Sequence, residues 1–152
     1  MSRAERAKEY FLQGYACSQA VALAFSDLTG VDERLISKIM LPFGGGVGRL
    51  RLTCGAVSGM AAVIGMLFAS PENTPENKKQ TYAIVQELCG KFKEQTGSLI
   101  CAELLSGMKV PVEVGGNAEA RTAEYYRKRS CADMVALAAQ MIEEYLQEKG
   151  NI

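Results

Sequence analysis

The sequence contains no histidine and no tryptophan. Without histidine, one chain cannot build a Ser–His or Cys–His catalytic pair, because both need an imidazole as the general base. The same absence excludes imidazole ligands to a metal, and it excludes haem attachment through a CxxCH motif. Any chemistry that this chain performs must therefore come from other side chains.

The sequence also lacks an excess of charge, since 17 basic residues balance 17 acidic ones. Balanced charge gives no general attraction for DNA, RNA or an anionic membrane, so we expect no nucleic-acid partner. The longest apolar run, residues 54–69, is shorter than the roughly 20 residues of a transmembrane helix, so we expect no membrane span. The charged N-terminus does not resemble a secretory signal, and we predict a cytoplasmic protein with reduced thiols.

The composition that remains is that of a globular protein. The chain has 152 residues, of which 48% are hydrophobic and 22% charged, and this predicts one domain over residues 1–152. Apolar residues recur at helical spacing from Cys17 onwards, and no segment alternates well enough to form a sheet. We therefore predict an all-α fold, an irregular orthogonal helical bundle.

Capping residues, glycines and prolines mark where the helices should begin and end. Gly55 and Gly59 lie four residues apart, on one face of a predicted helix, which favours close packing against a neighbouring helix. Helices are expected at residues 2–13, 17–28, 32–40, 54–69, 76–95, 99–105, 118–128 and 130–148. Residues 107–117 are the segment that we expect to be most flexible.

A glycine-rich loop covers residues 43–53, and two arginines, Arg49 and Arg51, follow the glycines within it. It matches neither a Walker A loop nor a Rossmann fingerprint. Glycines can let backbone N–H groups approach an anion, but they also serve loops that simply bend tightly against the core. The residues that we take as candidates for cofactor binding are Gly45, Gly46, Gly48 and Arg49.

Five cysteines are present at wide spacing, an odd number that does not suggest a disulfide scaffold. Four of them stand near predicted helix starts, namely Cys17, Cys54, Cys101 and Cys131. Thr53, Ser98 and Ser130 are the expected N-caps for three of these helices. Helix N-termini stabilise a thiolate and can lower a cysteine pKa to about 3.5–7.5. Buried cysteines often only fill space, and we assign Cys89 to the core for that reason.

We expect the four helix-start cysteines to converge on one site. Cys54 is the candidate for the attacking thiolate, because a helix start and two nearby arginines, Arg49 and Arg51, should both depress its pKa. Burial would act in the opposite direction, since apolar surroundings disfavour the thiolate.

Three segments of the sequence resemble the C_GCAxxG_C_C family of redox-active proteins. They are Gly14-Tyr15-Ala16-Cys17-Ser18-Gln19-Ala20-Val21, Gly44-Gly45-Gly46-Val47-Gly48-Arg49 and Cys54-Gly55-Ala56-Val57-Ser58-Gly59. The resemblance spans about residues 10–145 and implies that Cys17, Cys54, Cys101 and Cys131 are the family's four cysteines. It also implies redox activity. Some relatives carry haem-binding segments and an iron–sulfur centre, and only the iron–sulfur centre is compatible with this chain.

The cysteines support two functional hypotheses, and in a third alternative they are unreactive. The first is a thiol redox protein that cycles between dithiol and disulfide. The second is a binding module in which the same four thiolates hold an iron–sulfur cluster or zinc, although no CxxC spacing favours a metal. The third is a helical domain that binds a small molecule or a partner and has inert cysteines. The sequence identifies no redox partner and leaves a homo-oligomer open.

Overall fold

Helices form almost all of the regular structure in the computed structural model, which describes residues 1–152. There are nine α-helices and a single 3-10 turn, Leu41–Phe43, and the only β pairing is one isolated bridge. The all-α prediction is therefore confirmed. In chain order the helices are α1 (Arg3–Leu12), α2 (Cys17–Leu23), α3 (Ser26–Thr29), α4 (Glu33–Met40), α5 (Gly55–Phe68), α6 (Pro75–Thr96), α7 (Cys101–Gly107), α8 (Ala123–Lys128) and α9 (Cys131–Glu148).

Local sequence signals account for several helix ends. Ser2 and Glu5 form a reciprocal capping box at the start of α1, which satisfies backbone donors that the helix leaves free. The Thr74 side chain caps α6, which begins with a proline and ends at Gly97 with φ at 92°. Glycine reaches this left-handed conformation without the steric cost that a Cβ would impose.

The expected helix over residues 17–28 is wrong in one respect, because the structure divides it into α2 and α3. The Phe25 N–H bonds to the Ala22 carbonyl, three residues back rather than four. Phe25 has ψ at 13°, which breaks the helix, and its side chain is fully buried. The Arg3 guanidinium also lies 5.3 Å from the centroid of this ring. Burial of the ring therefore overrides the apolar pattern that predicted one continuous helix.

Two further boundaries differ from the expectation. The helix expected over residues 118–128 begins only at Ala123, because the Thr122 side chain caps it by accepting a hydrogen bond from the Tyr125 N–H. The helix expected over 99–105 is shifted by two residues and forms α7. None of the helices has the length and apolar character needed to cross a membrane.

A single cluster of buried side chains holds the helices together, and α2 lies inside it. Helix α2 packs against α1, α4, α5 and α9, and all of its residues after Cys17 are buried. A Cβ added to Gly59 would lie 2.8 Å from the Ser18 carbonyl oxygen of α2. The predicted close packing at the Gly55–Gly59 face is therefore confirmed, and it brings the N-termini of α2 and α5 together.

Candidate functional site

The N-terminal ends of four helices surround one cavity of about 310 Å³. Three of its cysteines are the first residues of their helices, and the fourth is the residue just before α5. The cysteines that line the cavity are Cys17, Cys54, Cys101 and Cys131. The structure therefore brings together the four residues that the sequence singled out, and Cys89 lies outside the cavity wall.

Backbone pairing places two of these cysteines side by side. An isolated antiparallel bridge joins Thr53 to Ile100. The Cys54 N–H donates to the Leu99 carbonyl at 2.8 Å, and the Cys101 N–H donates to the Leu52 carbonyl at 2.6 Å. Helices α5 and α7 consequently begin next to each other, and their first thiols face the same space.

Two glycines allow parts of the cavity wall to pack closely against Cys17 and Cys101. A Cβ on Gly55 would lie 3.1 Å from the Cys17 Cβ, so this glycine lets α2 start beside α5. A Cβ on Gly46 would lie 2.7 Å from the Cys101 Cβ. A contact of 3.1 Å is tighter than most Cβ contacts, and one of 2.7 Å would force a neighbour to move, because interiors are already close-packed. The two glycines act as spacers that allow the cysteine-bearing helix ends to meet.

Two polar residues after Cys17 fix the start of α2. The buried Ser18 hydroxyl donates to the Met40 carbonyl oxygen at 2.7 Å. The Gln19 side-chain amide donates to the Ser37 carbonyl oxygen at 2.8 Å. Both bonds connect α2 to the end of α4, so the Cys-Ser-Gln segment orients Cys17 through structural contacts.

The glycine-rich loop forms part of the cavity wall. The candidates for cofactor binding, Gly45, Gly46, Gly48 and Arg49, all line the cavity. The Gly48 and Arg49 N–H groups already donate to the Pro42 and Gly44 carbonyls, at 2.7 and 3.2 Å. The Arg49 guanidinium pairs with Glu119 at 3.1 Å and with Glu113 at 3.5 Å. These contacts favour the loop as a tight bend against the protein, and cofactor binding there stays a prediction.

Cys54 is not a depressed-pKa thiol, so that expectation is wrong. Its side chain is buried, and burial raises the pKa of the Cys54 thiol to about 11 despite hydrogen bonds from the Ala56 and Val57 N–H groups. Neither Arg49 nor Arg51 offsets this rise; Arg51 instead lies beside Cys101, with Nη1 at 3.8 Å from Sγ. Desolvation disfavours the thiolate more than the helix start favours it.

Cys131 is the thiol whose pKa falls below its ordinary value. The Cys17 thiol is placed to donate a hydrogen bond to Cys131, and this bond is the largest cause of the lower pKa. The positive charges of Arg129, Arg121 and Arg51 lower it further and oppose the effect of burial. The same hydrogen bond, followed by burial, raises the pKa of Cys17 well above its ordinary value. Within this pair, Cys131 is therefore the sulfur that loses its proton first.

The other two cysteines have raised pKa values. Burial raises the pKa of the Cys101 thiol, and the hydrogen bond and charge of Arg51 oppose the rise without cancelling it. Burial alone raises the pKa of the half-buried Cys89, which lies in α6 and packs against the core. Cys131 is thus the only cysteine with a lowered pKa.

The expected N-caps were correct in position only for α9. Ser130 occupies the N-cap position, but its side chain makes no capping hydrogen bond. Cys54 itself stands at the N-cap of α5 in place of Thr53, and Ile100 stands at the N-cap of α7. The Ser98 hydroxyl accepts a hydrogen bond at 3.0 Å from the N–H of Ile100, the residue that immediately precedes α7. The cysteines are nevertheless at helix starts, as expected.

Sequence reasoning missed an aromatic and cationic wall beside Cys131. The Arg121 guanidinium lies 5.0 Å from the Tyr125 ring centroid, and that of Arg129 lies 4.7 Å from it. Such stacking is favourable for a guanidinium. Burial raises the pKa of Tyr125 to about 12, so the phenol remains neutral. The available signal was the regular spacing of four residues between Arg121, Tyr125 and Arg129, the last of which stands two residues before Cys131.

The arrangement does not match a metal-binding site. No three of the chain's cysteine, aspartate and glutamate side chains are grouped so that they could hold a metal ion. All five cysteines are free thiols. As placed, the four cavity cysteines therefore do not fit the ligand set of zinc or of an iron–sulfur cluster, which needs convergent thiolates.

Comparison with known proteins gives one result that bears on this site. Comparison with curated proteins finds no significant match, and comparison with solved structures finds none either. A model of the family described as "Putative redox-active protein (C_GCAxxG_C_C)" matches residues 15–145. The match includes all four cavity cysteines and most of the chain, which therefore belongs to the C_GCAxxG_C_C family.

Proposed function

We propose that this protein is a thiol redox protein in which Cys17 and Cys131 cycle between dithiol and disulfide. The observation that carries the proposal is the pairing of these two side chains, in which Cys17 is placed to donate a hydrogen bond to a Cys131 sulfur of lowered pKa. A thiolate is the form that attacks disulfides. A protonated thiol beside it can serve as the second, resolving thiol.

The attacking role passes from Cys54 to Cys131 in this proposal. Cys131 begins α9, an 18-residue helix, whose N-terminal dipole favours a negative sulfur. Three arginines add to that effect. When the Cys131 thiolate attacks a disulfide, one S–S bond breaks and a mixed disulfide forms on Cys131. Cys17 then loses its proton to the departing thiolate and attacks the Cys131 sulfur, which releases the second sulfur as a thiolate that takes a proton from water.

Cys54 and Cys101 supply a second pair of thiols in the same cavity. Their higher pKa values keep them protonated at neutral pH, so they are poor first nucleophiles. The negative charge of Cys131 raises the pKa of both, so its sulfur lies near each of them. Exchange can therefore carry a disulfide from Cys131 to either one, and the four cysteines act as one cluster.

Mild oxidation of the reduced protein tests the proposal. With stoichiometric diamide, followed by alkylation and peptide mass spectrometry, we expect one intramolecular disulfide that joins Cys17 to Cys131 and is reversed by dithiothreitol. Cys131→Ser and Cys17→Ser should lose this disulfide, and the matched variant Cys89→Ser should retain it. Cys89 is a suitable control because it lies on α6, outside the cavity.

Two results would contradict the proposal. One is the persistence of five free thiols after oxidation of a folded sample. The other is stoichiometric zinc or iron in protein purified without oxygen, with loss of that metal in the Cys131→Ser variant. The second result would make the cluster a metal-binding module instead of a dithiol.

A further inference from the structure

Arginines dominate the polar part of the cavity wall. Those that line it are Arg49, Arg51, Arg121 and Arg129, and the only carboxylate that lines it is Glu119. Arg49 and Arg129 both pair with Glu119, at 3.1 and 2.6 Å. A second carboxylate, that of the exposed Glu113, reaches Arg49 from outside the wall at 3.5 Å. The carboxylates are thus committed to two of the four guanidinium groups.

Arg51 and Arg121 make no ion pair. Arg51 is only 7% exposed, and its Nε donates to the Glu113 carbonyl oxygen at 2.9 Å. Arg121 donates to two main-chain carbonyl oxygens at 3.1 and 3.0 Å. Carbonyl oxygens satisfy the hydrogen bonds but leave the positive charge uncompensated, and a partly buried charge favours an anionic partner. The cavity therefore has a positive potential that its own carboxylates do not cancel.

The remaining wall is apolar and the space is small. Leu104, Leu105, Met108 and Met134 contribute to it, and the cavity volume is about 310 Å³. That volume is at the lower end of the range for small-molecule sites. A site with one cationic region and one apolar region fits a small amphipathic molecule that carries negative charge.

We infer that the disulfide substrate of Cys17 and Cys131 is a small molecule that bears carboxylate groups, held by Arg51 and Arg121 against the apolar wall. The inference rests on the proposed dithiol function. In the reaction, the Cys131 thiolate attacks the substrate disulfide and releases one substrate thiolate. Cys17 then displaces the other and closes the protein disulfide. Two electrons pass from the protein to the substrate. The Cys17 proton ends on one released thiol, and the other leaves as a thiolate that takes its proton from water.

The charge balance of that reaction supports a carboxylate on the substrate. The positive charges of Arg51, Arg121 and Arg129 stabilise the ionised form of Cys131 before the reaction. Once Cys131 is in a mixed disulfide, its sulfur is neutral and these guanidinium groups lose a counter-charge. A substrate carboxylate supplies a replacement through charge-assisted hydrogen bonds, which are stronger than neutral ones. An uncharged disulfide would leave the cavity with more unpaired positive charge in the intermediate than in the starting state.

A series of three small disulfides that differ in charge tests the inference. Reduced protein is mixed with dithiodipropionate, hydroxyethyl disulfide or cystamine, and formation of the Cys17–Cys131 disulfide is followed by rapid alkylation and mass spectrometry. Each rate is divided by the rate of the same disulfide with free mercaptoethanol, which removes differences in intrinsic reactivity. We expect the anionic disulfide to exceed the neutral one by about tenfold or more, the cationic one to be slowest, and salt to reduce the preference.

Variants separate recognition from chemistry. Arg51→Gln and Arg121→Gln should each bring the anionic-to-neutral rate ratio towards one, and the salt dependence in the unmodified protein provides a readout that needs no variant. Arg127→Gln should leave the ratio unchanged, because this arginine is 76% exposed on α8 and lies outside the cavity wall. Equal normalised rates for the three disulfides would overturn the inference while the dithiol function stands. Failure of all three to oxidise the pair would instead count against the dithiol function.

Discussion

The identity of the most reactive thiol can be tested by alkylation as a function of pH. Cys131 has a pKa below the ordinary value of 9.0, whereas burial raises that of Cys54 to about 11. At pH 8 a thiol of pKa 9.0 is about 9% ionised, and a thiol of pKa about 11 is about 0.1% ionised. The thiolate population at Cys131 should therefore exceed that at Cys54 by about 90-fold or more at this pH.

Reaction rates should show a smaller difference than populations do. A less basic thiolate is a weaker nucleophile, and a Brønsted slope of about 0.4–0.5 reduces the advantage by about tenfold over this pKa interval. We expect Cys131 to be alkylated about tenfold faster than Cys54 at pH 8. Restricted access of the reagent should increase this difference, since Cys54 is the least exposed of the five cysteines. Because a thiolate forms as pH rises through the pKa, the Cys131 rate should level off at lower pH than that of any other cysteine.

The assay is a short pulse of isotopically labelled iodoacetamide at pH values from about 6 to 10, followed by digestion and peptide mass spectrometry. Cys89 serves as the internal reference, because burial alone raises its pKa and no arginine acts on it. In the Arg129→Gln variant the Cys131 profile should move to higher pH, whereas the exposed Arg127→Gln should leave it unchanged. If Cys54 or Cys101 reacts faster than Cys131 below pH 8 in the folded protein, the assignment of Cys131 as thiolate is wrong.

Two predictions concern stability and are measured by urea unfolding. Gly59→Ala should destabilise the fold by about 1–3 kcal/mol, since its new Cβ would lie 2.8 Å from the Ser18 carbonyl oxygen. Gly65→Ala lies on the same helix, where a Cβ would have no neighbouring atom within 4 Å, and it should instead stabilise the fold by up to about 1 kcal/mol. Equal effects of the two substitutions would refute the packing argument. The second concerns the Cys54 thiol, whose pKa rises from 9.0 to about 11 in the folded state. Folding favours the protonated form of this thiol. Its contribution to the free energy of unfolding is therefore complete below pH 9.0, and about 3 kcal/mol of it is lost as the pH rises to about 11. Cys54→Ala should lose correspondingly less stability over this pH interval, and parallel curves for the two proteins would contradict the pKa.

Sequence patterns predicted the fold class and most helices because the signals are local. Apolar residues at helical spacing and caps such as Thr74 act within a few residues of the element they define. The break between α2 and α3 was not predictable in this way. It depends on the burial of Phe25 and on the Arg3 guanidinium above its ring, and that contact joins two elements 22 positions apart in the sequence.

The membership of the cavity was predictable for a related reason. Each of its cysteines stands at or next to the first residue of a helix, and glycines such as Gly46 and Gly55 mark places where backbones approach closely. The aromatic and cationic wall beside Cys131 was not predicted, because Arg121 precedes α8 and its position depends on hydrogen bonds to carbonyls more than 100 residues away in the chain. Local spacing cannot reveal a bond of that kind.

The choice between Cys54 and Cys131 as thiolate shows what a helix start can and cannot determine. Both residues receive a favourable field from backbone N–H groups, and Cys54 even accepts hydrogen bonds from two of them. Burial nevertheless raises its pKa, because an N-terminal dipole contributes only about 0.3–1 kcal/mol in most sites, less than the desolvation of a buried thiolate costs. Cys131 is also largely enclosed, but a thiol donor and three guanidinium groups stand in place of the lost water. Reactivity in this cluster therefore follows from the charges that tertiary structure brings to each sulfur, and a substitution that removes one of those charges should change the chemistry more than one that alters the helix start.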